Sequence, residues 1–264
     1  MRFGAMNFPV LPVLDEIDSF AGLGFDYLEL AMDPPMAHHS ILAASRKDIV
    51  KALRERGLGL ICHLPTFLTT ADLTESLRRA SAAEMHESLR VAVELGAEKV
   101  VLHPSMVSGM GSFVQTIVKG YAFDFLSEIV AAAAELKVTV CLENMFPRYL
   151  LGVEPDDLAE IFQVFPGLKL TLDTGHASIG DQKGGRLQQL VQRFGGRIGH
   201  LHFSDNQGRR DDHLAIGKGI INFPELVKSL KAADYDDTLT LEVFDPDRRL
   251  LVASRDLLKG MFAS

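Results

Sequence analysis

Short apolar runs alternate with longer stretches in which apolar residues recur at every third or fourth position, from one end of the chain to the other. The short runs cover residues 2–8, 27–32, 58–64, 99–104, 139–145, 169–174, 198–205 and 238–244. Turn formers or polar residues bound them, which predicts strands buried on both faces. The longer stretches, 13–23, 46–56, 73–95, 113–136, 154–165, 185–194, 223–233 and 250–262, predict amphipathic helices. Gly57 and Gly96 stand where two of them should stop, as C-terminal caps do. Eight strands alternating with eight helices is the count of an α/β chain folded as a (β/α)8 TIM barrel. An open, doubly wound sheet would carry a glycine-rich turn after its first strand, and Phe3-Gly4-Ala5-Met6-Asn7-Phe8 holds one glycine. With no linker or low-complexity tract, residues 1–264 read as a single domain. Its longer βα loops, 33–44, 105–112 and 206–222, lie where a barrel keeps its function.

Every second side chain of a barrel strand points inward. In this chain the polar ones gather at one end. His63 and His103 close strands three and four, Glu143 and Asp173 lie near the ends of five and six, and His202 and Glu242 fall late in seven and eight. His176 follows Asp173 by one turn, and Asp211 and His213 sit in the loop after strand seven. A single histidine at a strand end is ordinarily a hydrogen-bonded structural residue, and a lone buried carboxylate ordinarily partners backbone or arginine. The gathering of all nine at the carboxyl-terminal mouth is what argues for metal. Nitrogen and oxygen donors of this kind suit Zn2+, Mn2+, Fe2+, Co2+ or Mg2+, from one to three ions. Four carboxylates in one partly desolvated funnel would otherwise repel one another and take up protons. His200, two residues before His202, should face inward one layer deeper, as a core residue. His38, His39 and His86 are read as loop or surface residues.

Composition narrows the field. Hydrophobic residues make up 47% and charged residues 23%, which fits a soluble globular protein and excludes a disordered chain. The longest apolar run, 129–134, is too short to span a membrane. Asn7, Pro9 and Pro12 interrupt the first apolar stretch, so it does not read as a signal peptide. Two cysteines, Cys62 and Cys141, make no disulfide framework, and a cytoplasmic location is expected. A net charge of −8 argues against a polyanionic partner.

Five segments carry a family resemblance. They are Leu142-Glu143-Asn144, Leu172-Asp173-Thr174-Gly175-His176, His202-Phe203-Ser204-Asp205-Asn206, Asp211-Asp212-His213-Leu214 with Gly217-Lys218-Gly219, and Leu241-Glu242-Val243. In this order, across essentially the whole chain, they resemble the xylose isomerase-like TIM barrel superfamily. That group includes sugar phosphate isomerases and epimerases and endonuclease IV (AP endonuclease family 2). Resemblance to the epimerases implies one metal on Glu143, Asp173, His202 and Glu242. It also implies that Glu143 and Glu242 exchange protons on opposite faces of a carbon beside a carbonyl, and that His176 contacts the substrate. The nearest match to an epimerase arginine is Arg209 or Arg210. Resemblance to endonuclease IV implies a trinuclear zinc centre on His63, His103, Glu143, Asp173, His176, His202, Asp211, His213 and Glu242, cutting DNA at abasic sites.

Three departures disfavour DNA. Leu64-Pro65-Thr66-Phe67-Leu68 lacks the endonuclease Tyr-Leu pair, Gly175 replaces the cysteine before the strand-six histidine, and residues 33–39 hold no lysine or arginine. Phe67 or Tyr149 could stack on a base, but Arg209-Arg210 and Arg248-Arg249 are interleaved with aspartates. The expectation is therefore a metal-dependent sugar, sugar phosphate or polyol isomerase or epimerase. A small sugar-like molecule is its partner rather than DNA or a membrane.

Overall fold

In a computed structural model that describes every residue except Ser108 and Gln182, the strands close into one parallel barrel. They are β1 (Arg2–Met6), β2 (Tyr27–Ala31), β3 (Gly59–His63), β4 (Lys99–Leu102), β5 (Thr139–Glu143), β6 (Lys169–Asp173), β7 (Ile198–Phe203) and β8 (Thr238–Leu241). Each pairs with the next in the chain, and β8 returns to β1. The helices are α1 (Val13–Gly22), α2 (His39–Ala44), α3 (Arg46–Arg56), α4 (Glu75–Leu95), α5 (Gln115–Leu136), α6 (Pro155–Val164), α7 (Thr174–Ser178), α8 (Gly185–Phe194), α9 (Phe223–Ala232) and α10 (Arg248–Ala263). All eight expected helices form. Gly57 and Gly96 end α3 and α4 in the left-handed conformation, with φ of 67° and 89°. Two short helices are additional: α2 lies in the stretch that reads as a loop, and α7 starts on Thr174, the last residue that reads as strand six. Position 108 of the expected 105–112 loop lies outside the described residues.

The sequence places several strand ends too far along. β8 stops at Leu241 and β4 at Leu102, so Glu242 and His103 stand one residue beyond the ladder. Alternation of side chains continues past the last ladder hydrogen bond, which is why the sequence pattern overshoots.

Outward-facing strand residues, such as Leu28, Leu30, Leu60, Leu102, Leu142, Leu172, Leu201 and Leu239, pack under the helices in one continuous hydrophobic layer. Each contributes about 2 kcal/mol by burial. The inward-facing set is different. Near the bottom the barrel is plugged by Tyr27, Ile61 and Val101. Gly4 makes room for the plug, since a Cβ there would lie 2.2 Å from the Tyr27 ring. The Tyr27 hydroxyl reaches Thr240 Oγ1 across the barrel at 2.9 Å. Below it, Lys99 Nζ donates to Gly199 O at 2.7 Å and pairs with Asp237 Oδ2 at 2.6 Å. Above the plug, acids and histidines dominate the inward side chains, with Met6 and Ala31 among them.

Among the described residues, no helix is long and apolar enough to cross a membrane.

Candidate functional site

Local structure sets the mouth before any ligand arrives. Asn144, just past β5, extends the β5–β6 ladder with its side chain: Oδ1 accepts from Asp173 N at 2.8 Å and Nδ2 donates to Asp173 O at 3.0 Å. Asp173 then caps α7, accepting from His176 N at 2.5 Å. The single turn of α7 brings His176 back over the mouth. Gly175 sits inside that turn, where a Cβ would approach Ser204 Oγ to 2.7 Å and Asp211 Oδ1 to 3.3 Å. The absence of a side chain at this position is thus part of the packing.

After β7, Asp205 organises the long loop. It is fully buried, and its carboxylate accepts from the N–H groups of Asn206, Gly217, Gly219 and Ile221 at 2.7–3.2 Å. Gly219 fits because a Cβ would lie 2.1 Å from Asn206 O. Asp205 and Leu214 also exchange backbone hydrogen bonds at 2.8 and 2.9 Å, which holds Asp211 and His213 over the barrel.

All nine expected residues meet at the mouth. Glu143 is the hub. Its Oε2 lies 3.2 Å from His63 Nε2 and 3.0 Å from His103 Nε2, and its Oε1 lies 3.0 Å from His176 Nδ1. Glu242 Oε1 is 3.1 Å from His202 Nδ1. Asp211 Oδ2 is 3.2 Å from His176 Nε2 and 2.9 Å from His213 Nε2. Three overlapping groups put one donor atom from each member within 4.8 Å of the others: His63, Glu143 and His202; Glu143, Asp173 and His176; Asp173, His202 and Glu242.

The outer nitrogens reveal how the rings are set. His63 Nδ1 donates to Leu64 O at 2.8 Å, His176 Nδ1 to Asn144 O at 3.0 Å, and His213 Nδ1 to Glu242 O at 3.2 Å. A carbonyl can only accept, so each of these nitrogens carries a hydrogen. His202 Nε2 donates to Glu29 Oε1 at 2.9 Å, and His103 Nδ1 lies 3.3 Å from the Tyr149 hydroxyl. The opposite nitrogen of His63, His202, His213 and, through Nε2, His176 faces the acids. This is the arrangement by which outer partners orient ligating imidazoles.

Charge is balanced by protons. Burial, with Glu242, Glu143 and Asp211 adding to it, pushes Asp173 up to about 8 against the pull of His176. Burial would lower His202, but Glu242, Glu29 and Glu143 outweigh it and raise it well above the imidazole value. His213 rises to about 9 because the Asp211 hydrogen bond and charge overcome its burial. Burial would likewise raise Glu143, but His103 and His202 hold it well below the carboxylate range. The acids crowd one another at the mouth, and the shifts run in the directions that offset it: Asp173 toward its neutral form, His202 and His213 toward their charged forms.

Three buried atoms at this point have no hydrogen-bond partner: Asp173 Oδ2, His202 Nδ1 and Asp211 Oδ1. Leaving such atoms bare inside a protein costs about 1–3 kcal/mol each. Asp173 Oδ2 and His202 Nδ1, only 3.8 Å apart, with Glu242 Oε1 3.1 Å from that nitrogen, suit a shared cation. The donor set therefore fits a divalent metal.

Above the cluster opens a cavity of about 300 Å3. Phe8, Phe67, Phe146, Tyr149 and Phe244 wall it, Asp33 and Thr66 stand at its rim, and Glu143, His176, Asp211 and Glu242 face it. Neither Lys nor Arg lines it among the described residues. Arg209 and Arg210 are exposed and off the cavity, and Arg210 pairs with Asp212. Glu29 was not singled out from the sequence. It is fully buried on β2 between Leu28 and Leu30 and joins His202 to His200 through its two oxygens, at 2.9 and 2.8 Å. Its signal was an acid at an inward position of an otherwise apolar strand.

A family model described as xylose isomerase-like TIM barrel matches residues 17–261, and the chain belongs to that family. An uncharacterized protein of Methanocaldococcus jannaschii is 30% identical, over 98% of this chain and 88% of its own length. A probable endonuclease 4 of Mycobacterium tuberculosis is 26% identical, over 80% of this chain and 82% of its own. Among solved structures, a D-tagatose 3-epimerase-like protein superposes with a TM-score of 0.86 at 28% identity. That match covers 100% of this chain and 97% of the other.

Proposed function

We propose that this chain is a metal-dependent isomerase or epimerase that moves protons beside the carbonyl of an uncharged sugar or related hydroxy-carbonyl compound. The observation that carries the reading is the cavity: aromatic walls, no lysine or arginine among the described lining residues, and two glutamates at its base. Aromatic faces suit the C–H faces of a sugar, and acids and imidazoles suit its hydroxyls. A phosphate would call for Arg or Lys. The likeness to a D-tagatose 3-epimerase-like structure supports the same class.

Glu143, Asp173, His202 and Glu242 would hold the ion, which supplies polarisation of the carbonyl oxygen when bound. Glu143 enters from β5 and Glu242 from beyond β8, so their carboxylates can flank a bound carbon. One takes the proton and the other returns one from the opposite side. His176 would meet a substrate hydroxyl through Nε2, held by its Nδ1–H bond to Asn144 O.

An endonuclease IV-like phosphodiesterase is the second reading. It is favoured by the three overlapping donor groups, which exceed the needs of one ion. The deciding experiment incubates metal-loaded protein with a panel of free ketoses in D2O. Label appearing at a carbon beside the carbonyl, with conversion of the sugar, is the expected outcome. Cleavage of abasic-site DNA without labelling of any sugar would replace this reading with the second.

A further inference from the structure

On the outer rim of the barrel, away from the mouth cluster, His38, His39 and Glu84 form a group of their own. His38 precedes α2 and His39 opens it, while Glu84 lies on α4. The two rings lie 4.1 Å apart at 39°, and both Nε2 atoms converge on one oxygen, Glu84 Oε2, at 3.0 and 2.8 Å. All three donor atoms fall within 4.8 Å of one another. Adjacent histidines ordinarily diverge, and here the two point at one carboxylate from 45 residues away.

We propose that His38, His39 and Glu84 form a second divalent-metal site, of the Zn2+ or Co2+ type, independent of the mouth. Two imidazoles and one carboxylate on one side of a point leave the other positions to water, a donor set common to these ions. With metal–ligand bonds near 2.0–2.1 Å, donors around a tetrahedral ion sit about 3.3 Å apart, so the two nitrogen–oxygen spacings of 3.0 and 2.8 Å need to open by only a few tenths of an ångström. The outer partner of one ligand is already in place. His38 Nδ1 lies 2.8 Å from Ser40 Oγ. When Nε2 takes the ion, the hydrogen moves to Nδ1 and is donated to that hydroxyl, and the 3.3 Å bond from Ser40 N–H is given up. Hydrogen bonds from His38 and His39 hold the Glu84 carboxyl below its ordinary value, so it offers a charged oxygen.

The ion would tie the segment after β2 to α4. That segment also carries Asp33, whose oxygens accept from Thr66 N and Oγ1 at 3.0 and 2.9 Å at the edge of the cavity. A rim ion thus braces one wall of the mouth without entering it.

The test is Zn2+ titration of the full chain against a chromophoric competing chelator, comparing wild type with Glu84→Gln and His39→Ala. Both positions are only partly buried, so both variants should fold, as a thermal melt would verify. Wild type should bind one more ion than either variant. Removing a ligand should weaken that ion by more than the roughly tenfold to hundredfold typical of losing an outer partner. The remaining ions should keep their affinities. Equal stoichiometry and affinity in all three proteins would overturn the site, and so would loss of the ion from only one variant. The rim site would titrate even if the mouth bound nothing, so this result stands apart from the proposed function.

Discussion

His200 and His202 are near neighbours on one face of β7, both are fully buried, and both give Nε2 to Glu29, yet they end in opposite states. His200 faces the plugged lower barrel. Its Nδ1 meets Thr238 Oγ1 at 2.7 Å, and burial, only partly offset by Glu29, lowers its pKa. His202 faces the mouth. Its Nδ1 lies 3.1 Å from Glu242 Oε1 without hydrogen-bond geometry, and, against its burial, the acids around it raise its pKa well above that of free imidazole. One layer of barrel separates a histidine whose two nitrogens are both hydrogen-bonded from one whose inner nitrogen is turned to the acids of the mouth. Position along the barrel axis, more than residue type, divides structure from chemistry here.

The largest expected effect is at the mouth. Glu143→Gln or Glu242→Gln should lower turnover by about two to four orders of magnitude, the usual worth of a positioned acid or base. Each should also lose solvent deuterium exchange on its own face of the substrate carbon, read by NMR. Near-normal turnover in both would remove the acid–base roles.

Next comes the residue that joins the two layers. Glu29→Gln cannot accept from both histidines, so it should weaken metal binding by about ten- to a hundredfold by leaving His202 poorly oriented. His200→Asn should instead cost about 1–3 kcal/mol of stability through unpaired buried groups, with metal affinity nearly unchanged. Chelator competition and denaturant unfolding separate the two. Equal losses of metal affinity would break the contrast between the layers.

A smaller effect is expected from pH. In the metal-free protein, Asp173 at about 8 and His213 at about 9 bind protons that the unfolded chain has already released. The stability they contribute is full at low pH, lost for Asp173 as pH rises through about 8 and for His213 as it rises through about 9. The melting temperature without metal should therefore fall from about pH 6 to 9, while the gain on adding metal grows as the competing protons leave. A metal-induced gain that does not change with pH would contradict this balance. Smallest is Tyr27→Phe in the plug, which should cost about 1 kcal/mol and leave metal affinity alone, because Thr240 Oγ1 retains His200 Nε2 at 3.2 Å.

Much of this was legible in the sequence because strand alternation is a local property. Parity and strand ends located His63, Glu143, Asp173 and His202, and the count of alternating segments gave the barrel. What escaped depended on contacts between distant segments. Glu29 sits mid-strand among leucines, and its partners lie 171 and 173 residues away. His38 and His39 read as surface residues because nothing nearby in the chain announces Glu84. Strand six reads one residue too far, to Thr174, because Asp173 both ends β6 and caps α7. Arg209 and Arg210 lie close in sequence to Asp211 and His213, but the same loop sends them to solvent.

The four N–H bonds gathered by Asp205 have a consequence for the thermodynamics of binding. Ordering a backbone costs about 1–2 kcal/mol per residue in lost conformational freedom. For the segment that presents Asp211 and His213, that loss falls on folding, when the carboxylate draws Asn206, Gly217, Gly219 and Ile221 together. An arriving ion meets ligands already in position. Its association should therefore be governed by dehydration and proton displacement, with little change in the exchange protection of residues 205–221 between the free and loaded protein.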